Sequence, residues 1–176
     1  SANFYAVYKK QKDPAYFFNN VKKYFKQDDL TLINFEGVLT KRATRADKKY
    51  AFKGSPGYVD ILKKGSVEAA AFANNHCRDF GEGSYTDTVQ CFKEAGIIYS
   101  SYEKVGMYEV KGKKIGMISV NGLEGMETAK SLVQKGMKKL KKKDADLRIV
   151  SIHAGIEYEK RPSDAQKSLA RYAIDQ

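Results

Sequence analysis

The sequence has no tryptophan, three prolines, two histidines and two cysteines in its 176 residues, and each scarcity removes an option. Cys77 and Cys91 cannot make a disulfide framework, and they lack the C-x-x-C spacing of a metal knuckle or redox motif. They read as free, largely buried thiols, which leaves the redox compartment open. No run approaches the ~20 apolar residues of a membrane-spanning helix, so this piece is expected to be soluble. An initiator methionine and a signal peptide are both missing, and Ser1-Ala2 reads as a boundary left by processing or cloning. Repeats, low-complexity tracts and Pro/Ser-rich linkers are also missing, and the length suits one domain over 1-176.

What is present is apolar enough to fold and strongly basic. Hydrophobic residues make up 42% and aromatics 12%, which supports a buried core and argues against a wholly disordered chain. Lys and Arg outnumber Asp and Glu by 32 to 21, a formal charge of +11. Such an excess favours encounter with a polyanion, be it nucleic acid, anionic lipid or an acidic polymer. No paired Cys/His finger and no aromatic RNP string accompanies the charge, so nucleic acid is not the expected partner. The one dense cluster, Lys138-Lys139 and Lys141-Lys142-Lys143, falls late in an expected helix, where cations complement the dipole of a solvated helix end.

Along the chain, helix and strand patterns alternate. Pro14 opens an expected helix to about Gln27, with Phe17, Phe18, Val21, Tyr24 and Phe25 at helical spacing. Leu30 to Phe35 reads as a buried strand, and Gly37 to Lys53 as a long basic loop. A short helix over Gly57 to Lys64 stops at Gly65. Val67 to Ala73 is a strand of small apolar residues, followed by a loop from Asn74 to Gly83. Ser84 is expected to cap a helix that ends at Ala95 before Gly96. Ile97 to Tyr99 is a brief strand. Met107 to Val110 and Lys114 to Val120 flank the hairpin signal Lys111-Gly112-Lys113. A long helix over Glu127 to Lys143, a strand over Leu147 to Ile152 and a helix over Ser163 to Asp175 complete the pattern. This is an α/β fold, with parallel pairing where helices cross over and an antiparallel hairpin added.

Three expected strands end alike, in an apolar run followed by polar groups able to hold a metal. The first ends Asn34-Phe35-Glu36-Gly37. The second ends in Asn74-Asn75-His76-Cys77-Arg78-Asp79, and the third in His153-Ala154-Gly155-Ile156-Glu157. Ligands of open α/β sheets bind beyond the carboxyl ends of the strands, so these tips are expected to converge. A carboxylate, an amide oxygen and imidazoles form a mixed O/N set suited to Mn, Fe or Zn. Both histidines of the chain lie directly after expected strands. Singly, each signal also fits a bland reading: an Asn-rich turn, a half-buried histidine, an exposed turn carboxylate.

At these motifs the sequence resembles the CapA/PgsA-type capsule (poly-γ-glutamate) synthesis family of the calcineurin-like metallophosphoesterase superfamily. Asp29-Leu30-Thr31-Leu32-Ile33-Asn34-Phe35-Glu36-Gly37-Val38-Leu39-Thr40 is similar to its D-L-x-x-x-N-L-E-x-x-x-T segment. Lys49-Tyr50-Ala51-Phe52-Lys53 with Pro56 is similar to K-x-Y-x-F-x-x-x-P. Ala73-Asn74-Asn75-His76-Cys77-Arg78-Asp79-Phe80-Gly81 matches A-N-N-H-x-x-D-x-G, and Glu94-Ala95-Gly96-Ile97 carries its A-G-I. His153-Ala154-Gly155-Ile156-Glu157-Tyr158, with Pro162, Gln166, Leu169 and Ala170, resembles H-W-G-x-E-Y…P…Q…L-A. The motifs run in family order from about Tyr16 to Asp175.

The resemblance implies a mixed β core flanked by helices and a binuclear centre of divalent metal ions. It implies Glu36, Asn75 and His153 as metal ligands and His76 as a hydrogen-bond donor behind the ligands or a general acid. Asn34, Asn74, Asp79 and Glu157 would be supports. It departs from the family where Ala154 replaces the usual Trp and where no Gly-Asp strand precedes Phe4 to Tyr8. A closing His-Pro-His segment is likewise not found. The piece is therefore expected to be truncated at both ends, with metal absent or partial and little turnover of its own, although the full-length protein would be a candidate phosphoesterase. A non-catalytic role, binding poly-γ-glutamate or another anionic polymer within a cell-surface export complex, stands as the alternative. Other capsule-synthesis membrane proteins would be partners. The extracellular face of the cell membrane would be the location, with the anchor outside this chain.

Overall fold

The computed structural model describes residues 2–176, with side chains from Phe4 onward. By contacts the chain divides into two compact units. One comprises residues 1–70 and 76–97, the other residues 71–75 and 98–176.

The first unit is built from short elements. Helix α1 (Ala2–Gln11) is followed by a 3-10 turn (Pro14–Phe18) and the single-turn α2 (Lys22–Phe25). The continuous helix expected from Pro14 is therefore broken. Asp13 caps the 3-10 turn by accepting from Ala15 N at 2.9 Å. Asn19-Asn20 then interrupt the helix, because asparagine side chains compete for backbone partners and favour turns. Strand β1 (Leu32–Asn34) lies within the expected strand. Its neighbour Thr31 accepts from Glu68 N and Ala69 N, while Glu68 Oε2 takes Thr31 N at 2.8 Å.

The basic segment expected as loop holds two short parallel strands, β2 (Val38–Leu39) and β3 (Lys53–Gly54). Val38 N donates to Phe52 O and Thr40 N to Gly54 O, so the residues between them fold back as one large excursion. Gly37 permits the turn into β2. Its φ of +129° disfavours any other residue, and an added Cβ would lie 3.1 Å from Phe52 Cβ. A 3-10 turn (Pro56–Tyr58) leads into α3 (Val59–Lys64), capped by Gly65 as the sequence implies.

Strand β4 (Ala69–Ala71) is wholly buried and carries the boundary between the units. Helix α4 (Glu82–Ala95) begins earlier than expected, because Gly81 at φ +80°, ψ 176° provides the N-cap in a conformation suited to glycine. Ser84 is not the cap. It is fully buried, its hydroxyl donating to Gly81 O at 2.6 Å and accepting from Phe80 N. Cys77 and Cys91 are free and buried, and burial pushes the Cys91 thiol up.

The second unit is regular. Strand β5 (Ile98–Ser100) is followed by β6 (Gly106–Val110) and β7 (Lys113–Asn121), an antiparallel pair. Lys111 and Gly112 sit at φ 50° and 72°, the two positive angles a tight type I′ hairpin demands. From β7 a 3-10 turn (Gly122–Glu124) leads to α5 (Met126–Lys142), and the chain returns in β8 (Leu147–His153), parallel to β7. Helix α6 (Asp164–Ile174) closes the unit behind a capping box in which Ser163 and Gln166 exchange bonds. The apolar stripe of α5 (Leu132, Val133, Met137, Leu140) packs with Ile118 and Val120 of β7 and Leu169 of α6. Each such fully buried side chain contributes about 1.5–3 kcal/mol. The fold is the mixed α/β arrangement with flanking helices that the pattern implies. Among the described residues no helix is long and apolar enough to cross a membrane.

Candidate functional site

Polar groups at the strand tips come together in pairs, one in each unit. In the first unit Glu36 follows β1, and Gly37 turns the chain away behind it. Asn34 Nδ2 donates to Glu36 Oε2 at 3.2 Å. The other carboxylate oxygen, Oε1, lies 3.7 Å from His76 Nε2. The His76 ring is held from its far side, with Nδ1 2.8 Å from Oδ2 of Asp79. Asp79 is completely buried, whereas Glu36 keeps 38% of its side chain exposed.

Three groups converge on the Asp79 carboxylate: the His76 imidazole, the backbone N–H of Phe52 and the ammonium of Lys48. Its backbone carbonyl also accepts from Ala46 N at 2.8 Å. The basic excursion between β2 and β3 is thus tied down by one buried acid. It places the Phe52 ring against the His76 ring, centroids 4.2 Å apart and planes inclined by 32°. Phe52 falls within the Lys49–Lys53 motif quoted from the sequence, but the contacts of Lys48 and Phe52 with the Asp79–His76 pair depend on this long-range return of the chain and carry no local signal. Farther along, the Arg42 guanidinium and the Thr40 hydroxyl hold the Asp87 carboxyl below its usual value, and Leu39 N donates to the buried Thr88 hydroxyl at 2.8 Å.

In the second unit His153 is the last residue of β8. Its Nε2 lies 2.9 Å from Asn75 Oδ1. The turn beyond it is fixed by Gln166, whose Nε2 donates to Ala154 O at 3.1 Å from the first turn of α6. Opposite His153 in the strand register is Asn121, buried, its side chain bonded to Glu124 Oε1 at 3.0 Å and to Leu123 N at 3.1 Å. Asn74 is buried as well. Glu157, expected as a support, is exposed on the turn after β8 and takes no part in the bond between His153 and Asn75.

Among the described residues no three His, Cys, Asp or Glu side chains gather as a metal-ligand set. The donors that are paired nevertheless suit a divalent ion in kind. Each pair joins an oxygen to an imidazole nitrogen. His76 also has its second ring nitrogen on a carboxylate, the outer bond that typically orients an imidazole ligand.

Comparison with known proteins agrees with the motif reading. The profile described as bacterial capsule synthesis protein PGA_cap matches residues 2–176. The capsule biosynthesis protein CapA of Bacillus anthracis is 27% identical over 186 residues, covering 91% of this chain and 45% of that protein. The PGA biosynthesis protein CapA of Bacillus subtilis is 30% identical over 188 residues, covering 94% and 49%. A probable polyglutamine synthesis accessory protein of Mycobacterium tuberculosis is 39% identical over 70 residues, covering 39% and 18%. The chain spans about half the length of the two CapA relatives it matches. With the family profile running through both units, this chain belongs to the bacterial capsule synthesis protein family PGA_cap.

Proposed function

We propose that the chain serves the biosynthesis of an anionic capsule polymer of the poly-γ-glutamate kind, through residues of a metal-dependent, phosphoesterase-like centre. The observation that carries this reading is His76, oriented at Nδ1 by the buried Asp79 while Nε2 faces the half-exposed Glu36. A histidine needed only for packing has no use for a buried carboxylate on one side and an accessible one on the other. In the first unit Glu36 would be a carboxylate ligand and His76 the proton donor to a leaving oxygen. In the second, Asn75 Oδ1 and His153 Nε2 are the atoms a cation would take up. A divalent ion of the Mn, Fe or Zn type would supply Lewis-acid polarisation of a phosphoryl oxygen. Asp79 fixes the His76 ring plane and tautomer, and Phe52 covers a ring face. The same reading puts the protein at the extracellular face of the cell membrane, with capsule-synthesis membrane proteins as partners.

The test is capsule output in a host deprived of its own family member and supplied with the gene encoding this chain. Glu36→Gln and His153→Ala should each cut polymer yield at least tenfold and lower bound metal. Full output with unchanged metal in both variants would refute the centre.

A second reading, favoured by the +11 charge, is non-catalytic retention of the polyanion during export. It predicts that both variants keep full output and that polymer binding weakens steeply with salt.

A further inference from the structure

Helix α5 carries far more positive charge than its fold requires. Six lysines and one acid, Glu127, lie in its 17 residues. The apolar stripe faces the sheet and α6, so the lysines crowd the opposite surface. Several are already engaged. Lys130 pairs with Glu127 at 2.9 Å and Lys135 with Glu103 at 3.0 Å, while Lys139 and Lys141 each donate to a backbone carbonyl at 2.7 Å.

Lys138 and Lys142, one helical turn apart, and Lys143 at the C-cap have no acid at ion-pair distance among the described residues. Like charges four residues apart on a helix repel one another, and only the last turn is compensated by the dipole. A second feature adjoins them. Lys143 and Lys114 of β7 line a shallow hollow of about 340 Å³, together with Met107, Tyr108 and Glu109.

We propose that Lys138, Lys142 and Lys143, continued by Lys114, form a docking track for a polycarboxylate chain. This rests on the polymer-binding reading above and names its surface. Flexible ammonium groups spaced along a helix suit successive flexible carboxylates, since neither partner demands the planar bidentate geometry that arginine offers phosphate. A hollow lined by two of these lysines gives the chain a place to seat.

The experiment measures binding of fluorescein-labelled poly-γ-glutamate by anisotropy at low and at physiological salt. It compares the wild-type chain, a track variant (Lys138→Gln, Lys142→Gln, Lys143→Gln) and a control of equal charge (Lys26→Gln, Lys63→Gln, Lys64→Gln). Glutamine keeps helix propensity close to that of lysine, so the track variant should fold. The track variant should bind roughly tenfold more weakly with a shallower salt dependence, as expected for three lost exposed ion pairs. The control removes equal charge away from the track, breaks no ion pair with the polymer, and should stay within about twofold of wild type. Equal weakening in both variants overturns the track and leaves only net charge. Binding untouched in the track variant overturns the surface while sparing the polymer reading. No polymer binding by the wild type sinks that reading itself. Tighter, track-dependent binding to phosphatidylglycerol vesicles or duplex DNA would overturn the choice of partner.

Discussion

The two units solve the same folding problem in opposite ways. The second buries an apolar stripe of α5 beneath a three-stranded sheet, and its backbone bonds run in long ladders from Lys113 to Asn121. The first has strands of two or three residues, and much of its order comes from side chains bonding to backbone. Asp79 is the extreme case, a fully buried acid joining a loop, a lysine and a histidine. Stability in the second unit is spread over many interchangeable contacts. In the first it is concentrated in a polar hub that also aims a candidate catalytic side chain.

The sharpest way to break this contrast is Asp79→Ala. It removes the buried carboxylate that Lys48, His76 and the Phe52 N–H share and should cost about 3–5 kcal/mol in urea unfolding, as losing one partner of a buried pair does. A cost below 1 kcal/mol would dissolve the contrast. Next comes Gly116→Ala in the second unit. The new methyl would lie 2.6 Å from Leu140 Cδ2, and overpacking there should cost about 1–3 kcal/mol with a lowered Tm. Ser163→Ala removes the acceptor of the α6 capping box and should cost about 1 kcal/mol, with fraying of α6 seen by amide exchange.

The smallest effect concerns pH. The folded carboxyl of Asp87 is held down by hydrogen bonds from Arg42 and Thr40. A depressed folded value means the contribution is complete above the ordinary aspartate value of 3.8 and fades as pH falls through the lower folded value. The stability difference between wild type and Asp87→Asn should therefore be flat at neutral pH and shrink only in acid. A difference that changes between pH 5 and 8 would contradict it.

The contrast also explains what the sequence could tell. In the second unit the hairpin at Lys111-Gly112 and the helices expected over Glu127 to Lys143 and Ser163 to Asp175 follow from local periodicity and turn chemistry, and each appears within a residue or two of expectation. In the first unit local patterns mislead. Val38 and Leu39 sit in a polar stretch too short to show strand alternation, yet both are buried. Ser84 resembles a cap until the φ of Gly81 moves the helix start. Of the candidate residues, Glu36 with His76 and Asn75 with His153 were legible as strand-end donors. The roles of Lys48 and Phe52 were not, because they depend on a long-range return of the chain to Asp79.

The proposed ligand roles are tested most directly by titrating the chain with Mn²⁺ and following its two histidine ring signals by NMR. Both rings should broaden at substoichiometric metal, ahead of the bulk of the acidic surface. Glu36→Gln should abolish the broadening of His76, and Asn75→Ala that of His153. Rings that stay sharp, or that broaden equally in the variants and the wild type, would contradict the account.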